Sequence, residues 1–271
     1  MTTTTFDEIK ARQHKTWSSG DYGRVAWLTV PLAETLCAAA DLRPGDKVLD
    51  VATGTGHVAL AAARRFCRVT GIDYVPALLD VARRRAEAEG LDVRFREADA
   101  ENLPCADGEW DVVLSAIGVM FTADHQRAAD ELLRVCRPGG TIAMASWTPA
   151  GFIGKLLATV GRHAPPPAGA LPPTRWGTEE TVRELFGDRV TGLTCTTATV
   201  QEKFANPAHF ADFFLTHYGP THMAAQRLSP DGREAFRADL IALAEENNLA
   251  DDGTFAADWE YLVAVATKTV S

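Results

Sequence analysis

Val48-Leu49-Asp50-Val51-Ala52-Thr53-Gly54-Thr55-Gly56 decides the fold. Its branched apolar residues read as a buried strand, and the glycines that close it read as a tight turn. Glycine lets backbone come close to a ligand there. The helix that follows, from Val58 to Phe66, turns its free N–H groups toward the same point. Gly54-Thr55-Gly56-His57-Val58-Ala59 also satisfies the dinucleotide pattern G-x-G-x-x-G/A. A turn of this kind can also be a plain strand-to-helix connection, so the surrounding sequence has to decide.

Downstream, apolar strands alternate with helices. Arg68 to Asp73 reads as a second strand, Pro76 to Glu89 as a helix stopped by Gly90, and Val93 to Glu97 as a third strand. Trp110 to Ser115 is the fourth. A helix capped by Asp124 and ended by Pro138-Gly139-Gly140 leads into the fifth, Thr141 to Trp147. Strands joined by helices make a parallel sheet covered on both faces, with ligands outside the carboxyl ends of the strands.

Asp73 ends the second strand, where a carboxylate can accept hydrogen bonds from both hydroxyls of a ribose, or else cap the helix that starts at Pro76. Asp50 is the more discriminating acid. Four residues before Gly54, it suits a ligand with an ammonium group and repels a pyrophosphate. After the third strand, the acids and amides of Glu97-Ala98-Asp99-Ala100-Glu101-Asn102-Leu103-Pro104 suit an adenine edge. Trp110-Asp111-Val112-Val113-Leu114-Ser115 and Leu133-Arg134-Val135-Cys136-Arg137-Pro138-Gly139-Gly140 follow in order.

This ordered set, from Lys47 to Trp147, resembles the class I S-adenosylmethionine-dependent methyltransferases. Within them it is similar to the type 11 branch, the ubiquinone/menaquinone-biosynthesis-like enzymes common among bacterial small-molecule methyltransferases. The resemblance implies an α/β, Rossmann-like, mostly parallel seven-stranded sheet with helices on both faces. It implies an N-terminal helical cover over residues 1–45, a cofactor-binding core over 46–148, and a substrate-side half over 149–271 carrying lid helices at about 206–250. It implies S-adenosylmethionine as cofactor and S-adenosylhomocysteine as product. Ala52, Thr53, Gly54 and Gly56 would wrap the methionine end, with Asp50 ordering the turn and facing the amino group. Asp73 would hold the ribose, Tyr74 would lie against adenine, Asp99 and the Ala100 amide would read its edge, and Ser115 and Ala116 would sit beneath the sulfonium. Trp17 and Tyr22, in Trp17-Ser18-Ser19-Gly20-Asp21-Tyr22, would close over the methionine end. The chain departs from the family pattern at Ala52, where glycine is frequent. It departs again after the fourth strand, where Ile117-Gly118-Val119-Met120-Phe121 replaces a frequent histidine with an apolar wall.

Met120 and Phe121 are therefore candidate acceptor contacts. His217, Tyr218 and His222, in a helical segment read from Pro207 to Asn247, would stand over the sheet edge where an acceptor enters, with His217 and His222 as candidate bases and Tyr22 as a third. The segment itself is expected to be a mobile lid. Ala164-Pro165-Pro166-Pro167 and Leu171-Pro172-Pro173 read as stiff, extended and exposed.

Composition narrows the partners. With Lys+Arg 27 against Asp+Glu 36 the chain carries a net charge of −9, which disfavours nucleic acid. The run Arg83-Arg84-Arg85 is diluted by Asp80, Glu87 and Glu89 and reads as a solvated helix face. Five dispersed cysteines make no disulfide framework and no zinc cluster, and the histidines show no metal spacing. No apolar run reaches the ~18 residues of a membrane span, and the polar start from Met1 to Lys10 lacks a signal segment. A cytoplasmic enzyme acting on a small molecule is expected, with a homodimer as one open assembly. The expected reaction is methyl transfer to the oxygen, nitrogen or carbon of a small hydrophobic or aromatic metabolite. The alternatives are a non-methylating, pericyclase-like binder of the same cofactor and an NAD-dependent oxidoreductase.

Overall fold

The computed structural model describes residues 5–270; Met1 to Thr4, the first part of the polar start, lie outside them. Seven strands form one sheet in the order β3-β2-β1-β4-β5-β7-β6. They are β1 (Lys47–Val51), β2 (Arg68–Asp73), β3 (Val93–Glu97), β4 (Trp110–Ala116), β5 (Cys136–Trp147), β6 (Val190–Phe204) and β7 (Phe255–Lys268). The first five run parallel, and β7 is antiparallel to both β5 and β6. Chain order reverses between β1 and β4. A crevice opens at such a switch point, outside the carboxyl ends of the two strands.

Helices cover both faces: α1 (Phe6–Trp17), α2 (Tyr22–Ala26), α3 (Val30–Ala39), α4 (His57–Ala63), α5 (Pro76–Ala88), α6 (His125–Val135), α7 (Phe152–His163), α8 (Glu179–Phe186), α9 (Pro207–His217), α10 (Gly219–Arg227) and α11 (Pro230–Glu246). Their starts are written in short-range chemistry. Thr5 and Glu8 form a reciprocal capping box on α1, and the side chains of Asp124, Asn206 and Ser229 accept backbone N–H groups at the starts of α6, α9 and α11. One boundary departs from expectation. Pro138-Gly139-Gly140 does not precede β5 but lies inside it, where the register against β4 shifts between Trp110 and Val112. A bulge of this kind accommodates a proline within a strand.

The C-terminal half is held by aromatic packing. Phe210 and Phe214 of α9 pack against Phe255 and Trp259 of β7, with Phe152 of α7 against Phe210 and Phe255. Phe236 and Leu240 of α11 are fully buried. Each such side chain contributes about 1.5–3 kcal/mol on burial. The segment expected as a mobile lid is thus rooted in the core. It also joins the N-terminal cover: a Cβ added at Gly219 would stand 2.3 Å from the Thr16 carbonyl oxygen, and one at Gly20 would stand 2.6 Å from that of His217. The Asp21 N–H donates to the same His217 oxygen at 3.2 Å. Only glycine permits two backbones to approach this closely.

Candidate active site

The turn after β1 is ordered by two buried carboxylates. Asp50 accepts the Thr53 hydroxyl at 2.5 Å and the Ala59 N–H at 3.0 Å. The second bond matters for ligand choice: a carboxylate of the chain already takes an amide at the start of α4, where a phosphate would otherwise bind. This argues against the pyrophosphate of NAD. Asp73 accepts the Gly54 N–H and the Val75 N–H, both at 2.9 Å. Burial pushes both acids up, Asp50 to about 7 and Asp73 to about 6, against the pull of their hydrogen bonds. Asp73 also raises Asp50 through space.

Backbone strain marks both strand ends. Ala52 after β1 has φ +56° and Ile117 after β4 has φ +52°. The left-handed region is costly for any residue with a Cβ and most of all for a β-branched one. Both residues line one pocket. Such strain at a ligand-facing position is held in place by the surrounding structure.

That pocket gathers most of the expected cofactor residues: Trp17, Tyr22, Asp50, Ala52, Thr53, Gly54, Asp73, Tyr74, Asp99, Ala100 and Ala116 all line it. Gly56 does not. It is the N-cap of α4 at φ +87°, facing Ala82 and Phe95. Ser115 also corrects its expected place beneath the sulfonium. It is buried behind the wall, where its hydroxyl donates to the Val51 carbonyl and accepts the Val119 N–H, tying the end of β4 to the end of β1.

Several contributors escaped the sequence reading. Lys10 lines the pocket and bridges Asp99 and Glu101, at 2.7 Å to each. Burial pulls the lysine down, but the hydrogen bonds to the two acids outweigh it and hold it above its ordinary value. Glu101 is buried and also accepts the Ala123 and Asp124 N–H groups ahead of α6. Arg85, read as part of a solvated face, reaches back to the turn and donates to the Thr55 carbonyl at 2.6 Å. It also lies 2.8 Å from Nδ1 of His57, whose pKa is pushed down to about 3 by burial and by the guanidinium. The imidazole is therefore neutral and accepts the hydrogen bond.

A second cavity of roughly 570 Å³ lies beyond Trp17 and Phe121, which line both spaces along with Gln13. Trp17 packs edge-on to Phe121, Tyr22 and Tyr218. The rest of the wall comes from α1, from Leu157 and Ala158 of α7, from Met223 and Ala224 of α10, and from prolines 165–167 and 172–173. The proline stretch, expected only to be exposed, is thus a cavity wall.

Other expected acceptor residues fall elsewhere. Met120 is buried and lines neither space. Tyr218 stands behind Trp17 and lines neither. His217 and His222, the candidate bases, also line neither. The His217 ring rests on Phe213, and the His222 ring is held between the Leu215 carbonyl and the Gln226 amide. Tyr22 lines the cofactor pocket, but burial and then Asp73 push its hydroxyl up to about 12, so it stays protonated.

A strand-end pocket with a strained turn, a buried acid at the end of β2 and further acids after β3 suits a cationic adenosine cofactor. Residues 48–140 match the methyltransferase domain family. The chain is 43% identical over 268 residues to the Mycobacterium tuberculosis protein Rv1405c, spanning 97% of this chain and 96% of that one. It is 47% identical over 105 residues to a demethylmenaquinone methyltransferase of Thermus thermophilus, spanning 38% of this chain and 48% of that enzyme. Among solved structures, the YcgJ protein of Bacillus subtilis superposes with a TM-score of 0.61 at 17% identity, covering 88% of this chain and 98% of that one. The [4+2]-cyclase SpnF superposes at 0.55 with 21% identity, covering 89% and 81%; these two show the fold alone. Residues 48–140 are thus a methyltransferase domain of the class I S-adenosylmethionine-dependent kind, the chain as a whole belongs with Rv1405c, and its core is similar to the type 11, menaquinone-biosynthesis-like enzymes. Its cofactor is S-adenosylmethionine. The residues present fit that group: Asp50, Asp73 and Asp99 face the pocket, and its lysine is already paired with acids. No described helix is long and apolar enough to cross a membrane, and no cluster of metal-ligating side chains is found among the described residues.

Proposed function

We propose that this enzyme methylates a small apolar or aromatic metabolite seated in the cavity beyond Trp17 and Phe121. The observation that carries the reading is the shared wall: one apolar space of roughly 570 Å³ meets the cofactor pocket at two aromatic rings. Asp73 is assigned to the ribose, Tyr74, Asp99 and Ala100 to the adenine, and the turn from Ala52 to Gly54 with Asp50 to the methionine end. The bound cofactor supplies a methyl group already activated as a sulfonium. What remains for the chain is to align the acceptor and to exclude water. Trp17 and Phe121 perform both at the junction, and the cover and α10, joined at Gly219, close the space from above. Among the described residues lining the cavity there is no carboxylate, imidazole, phenol or thiol. The acceptor therefore attacks as a neutral carbon or heteroatom nucleophile, or arrives already deprotonated.

Filling the cavity tests this. Ala158 and Gly161 lie one turn apart on α7, both line it, and a Cβ at Gly161 would meet nothing within 4 Å. The double variant Ala158→Trp/Gly161→Trp should fold and bind S-adenosylmethionine as before. Its transfer of labelled methyl into small molecules of a cell extract should fall by roughly a hundredfold or more, the scale of a lost alignment. Undiminished transfer would place the acceptor elsewhere.

A further inference from the structure

The cavity is apolar over most of its wall, yet two arginines line it. Arg12 lies on α1 and Arg227 on α10, two helices packed against each other. Both side chains are exposed, and among the described residues neither has an ion-pair partner. Lys10, two residues before Arg12, is consumed by Asp99 and Glu101. The cavity lining holds no acid to neutralise either guanidinium. In a chain of net charge −9, this is a local reversal of sign at an apolar space. Low-dielectric walls focus such a field on whatever enters.

We infer that the acceptor is an anionic amphiphile: an apolar body fills the cavity, and a carboxylate or phosphate on it is read by Arg12 and Arg227. The inference rests on the assignment of this cavity to the acceptor. It deepens that assignment, because apolar walls alone select for size, whereas a guanidinium selects for charge and for planar, paired oxygens. Both arginines are solvent-exposed, so their contribution is screened by salt.

Three probes of one chain length separate charge from bulk: decanoate, decyl phosphate and decanol, titrated into the full chain saturated with S-adenosylhomocysteine and followed by calorimetry. At low salt at least one of the two anions should bind about tenfold tighter than decanol, the scale of one charge-assisted contact. The preferred anion identifies the headgroup. The preference should shrink at 1 M salt. It should vanish in Arg12→Gln/Arg227→Gln, with decanol and cofactor affinities unchanged. Equal binding of all three probes would overturn the inference, as would a preference that survives in the double glutamine variant. A preference that persists after Ala158→Trp/Gly161→Trp would put the anion outside the cavity and overturn it too. Methyl transfer by that tryptophan variant separately tests the cavity assignment, so the two failures are distinguishable.

Discussion

The two spaces that meet at Trp17 and Phe121 are built in opposite ways. The cofactor pocket hangs on strand ends. Asp50 and Asp73 are fixed by the register that pairs Asp50 with Gly71 and Asp73 with Glu97, and their oxygens take N–H groups of the turn after β1 and of the first turn of α4. The cavity proposed for the acceptor is walled by helices and a proline loop, and its shape follows from how α1, α7 and α10 pack over the aromatic cluster around Phe210. A strand register shifts only by whole residues, and a slip of one flips every side chain to the other face, whereas packed helices tolerate small shifts and volume-conserving exchanges. On the proposed assignment, the arrangement would hold the donor rigidly and leave acceptor choice to parts that can change without disturbing it.

The sharpest way to break that division is at Asp73. Asp73→Asn removes a charged acceptor from the turn and from the ribose position. It should weaken S-adenosylmethionine binding by roughly 10- to 100-fold, from about 1.5–3 kcal/mol for hydrogen bonds to a charged group. Binding of decanoate or decyl phosphate to the acceptor cavity should be unchanged. Calorimetry with both ligands on the folded variant is the check. Equal losses on both sides would mean that the two spaces are one coupled unit.

The same division explains what the sequence disclosed. The turn at Gly54, the acid at Asp73 and the segment from Asp99 to Ala100 are short-range patterns, and the strand ends carry them to one place. The seven-stranded sheet followed from the alternation and the family resemblance. Ser115 was misplaced because the residue after it, not it, turns toward the pocket; alternation along β4 gives two faces without saying which one meets a ligand after the chain bends at Ile117. The acceptor cavity was largely illegible. Its lining comes from residues 9–17, Phe121, and residues 149–174 and 220–227, brought together only by tertiary packing, and a proline run gives no local sign that one side of it faces a cavity. The salt bridges of Lys10 to Asp99 and Glu101, and the reach of Arg85 to Thr55, span distant sequence and could not be read from charge runs.

A pH titration sharpens the comparison at a smaller scale. Burial raises Asp50 to about 7 and Asp73 to about 6 in the folded chain, above their value near 4 when unfolded. Their contribution to stability of the ligand-free protein is therefore fully present below pH ~4 and is lost as pH rises through 6 to 7. Cofactor affinity runs the other way, because a cationic ligand favours both acids ionised. S-adenosylmethionine should bind roughly tenfold more weakly at pH 6 than at pH 8, chiefly through Asp50. Decanol, whose cavity has no acid, should show no such trend. A flat cofactor profile, or one that Asp50→Asn leaves unflattened, would remove Asp50 from the binding face.

The smallest expected effect concerns the helices above the acceptor. A general base contributes ~10²–10⁴-fold, so a histidine that served as one would reveal itself on removal. The geometry assigns that role to neither candidate. A carbonyl can only accept, so His222 Nδ1 carries the proton that meets the Leu215 oxygen, and its Nε2 accepts from the Gln226 amide. Both ring nitrogens are thus occupied within α9 and α10, and neither faces the cavity. His217 acts through its backbone, whose carbonyl holds the Asp21 N–H and joins the cover to α9. His217→Asn and His222→Asn should each keep kcat within about tenfold of the native enzyme, below the range of a lost base, with cofactor affinity unchanged. A fall of a hundredfold or more in either variant would return a base to the helical half. It would also mean that the helices close further over the acceptor than they do here. Small losses in both would agree with the proposed reading, in which this half seats and orients the acceptor and supplies no base.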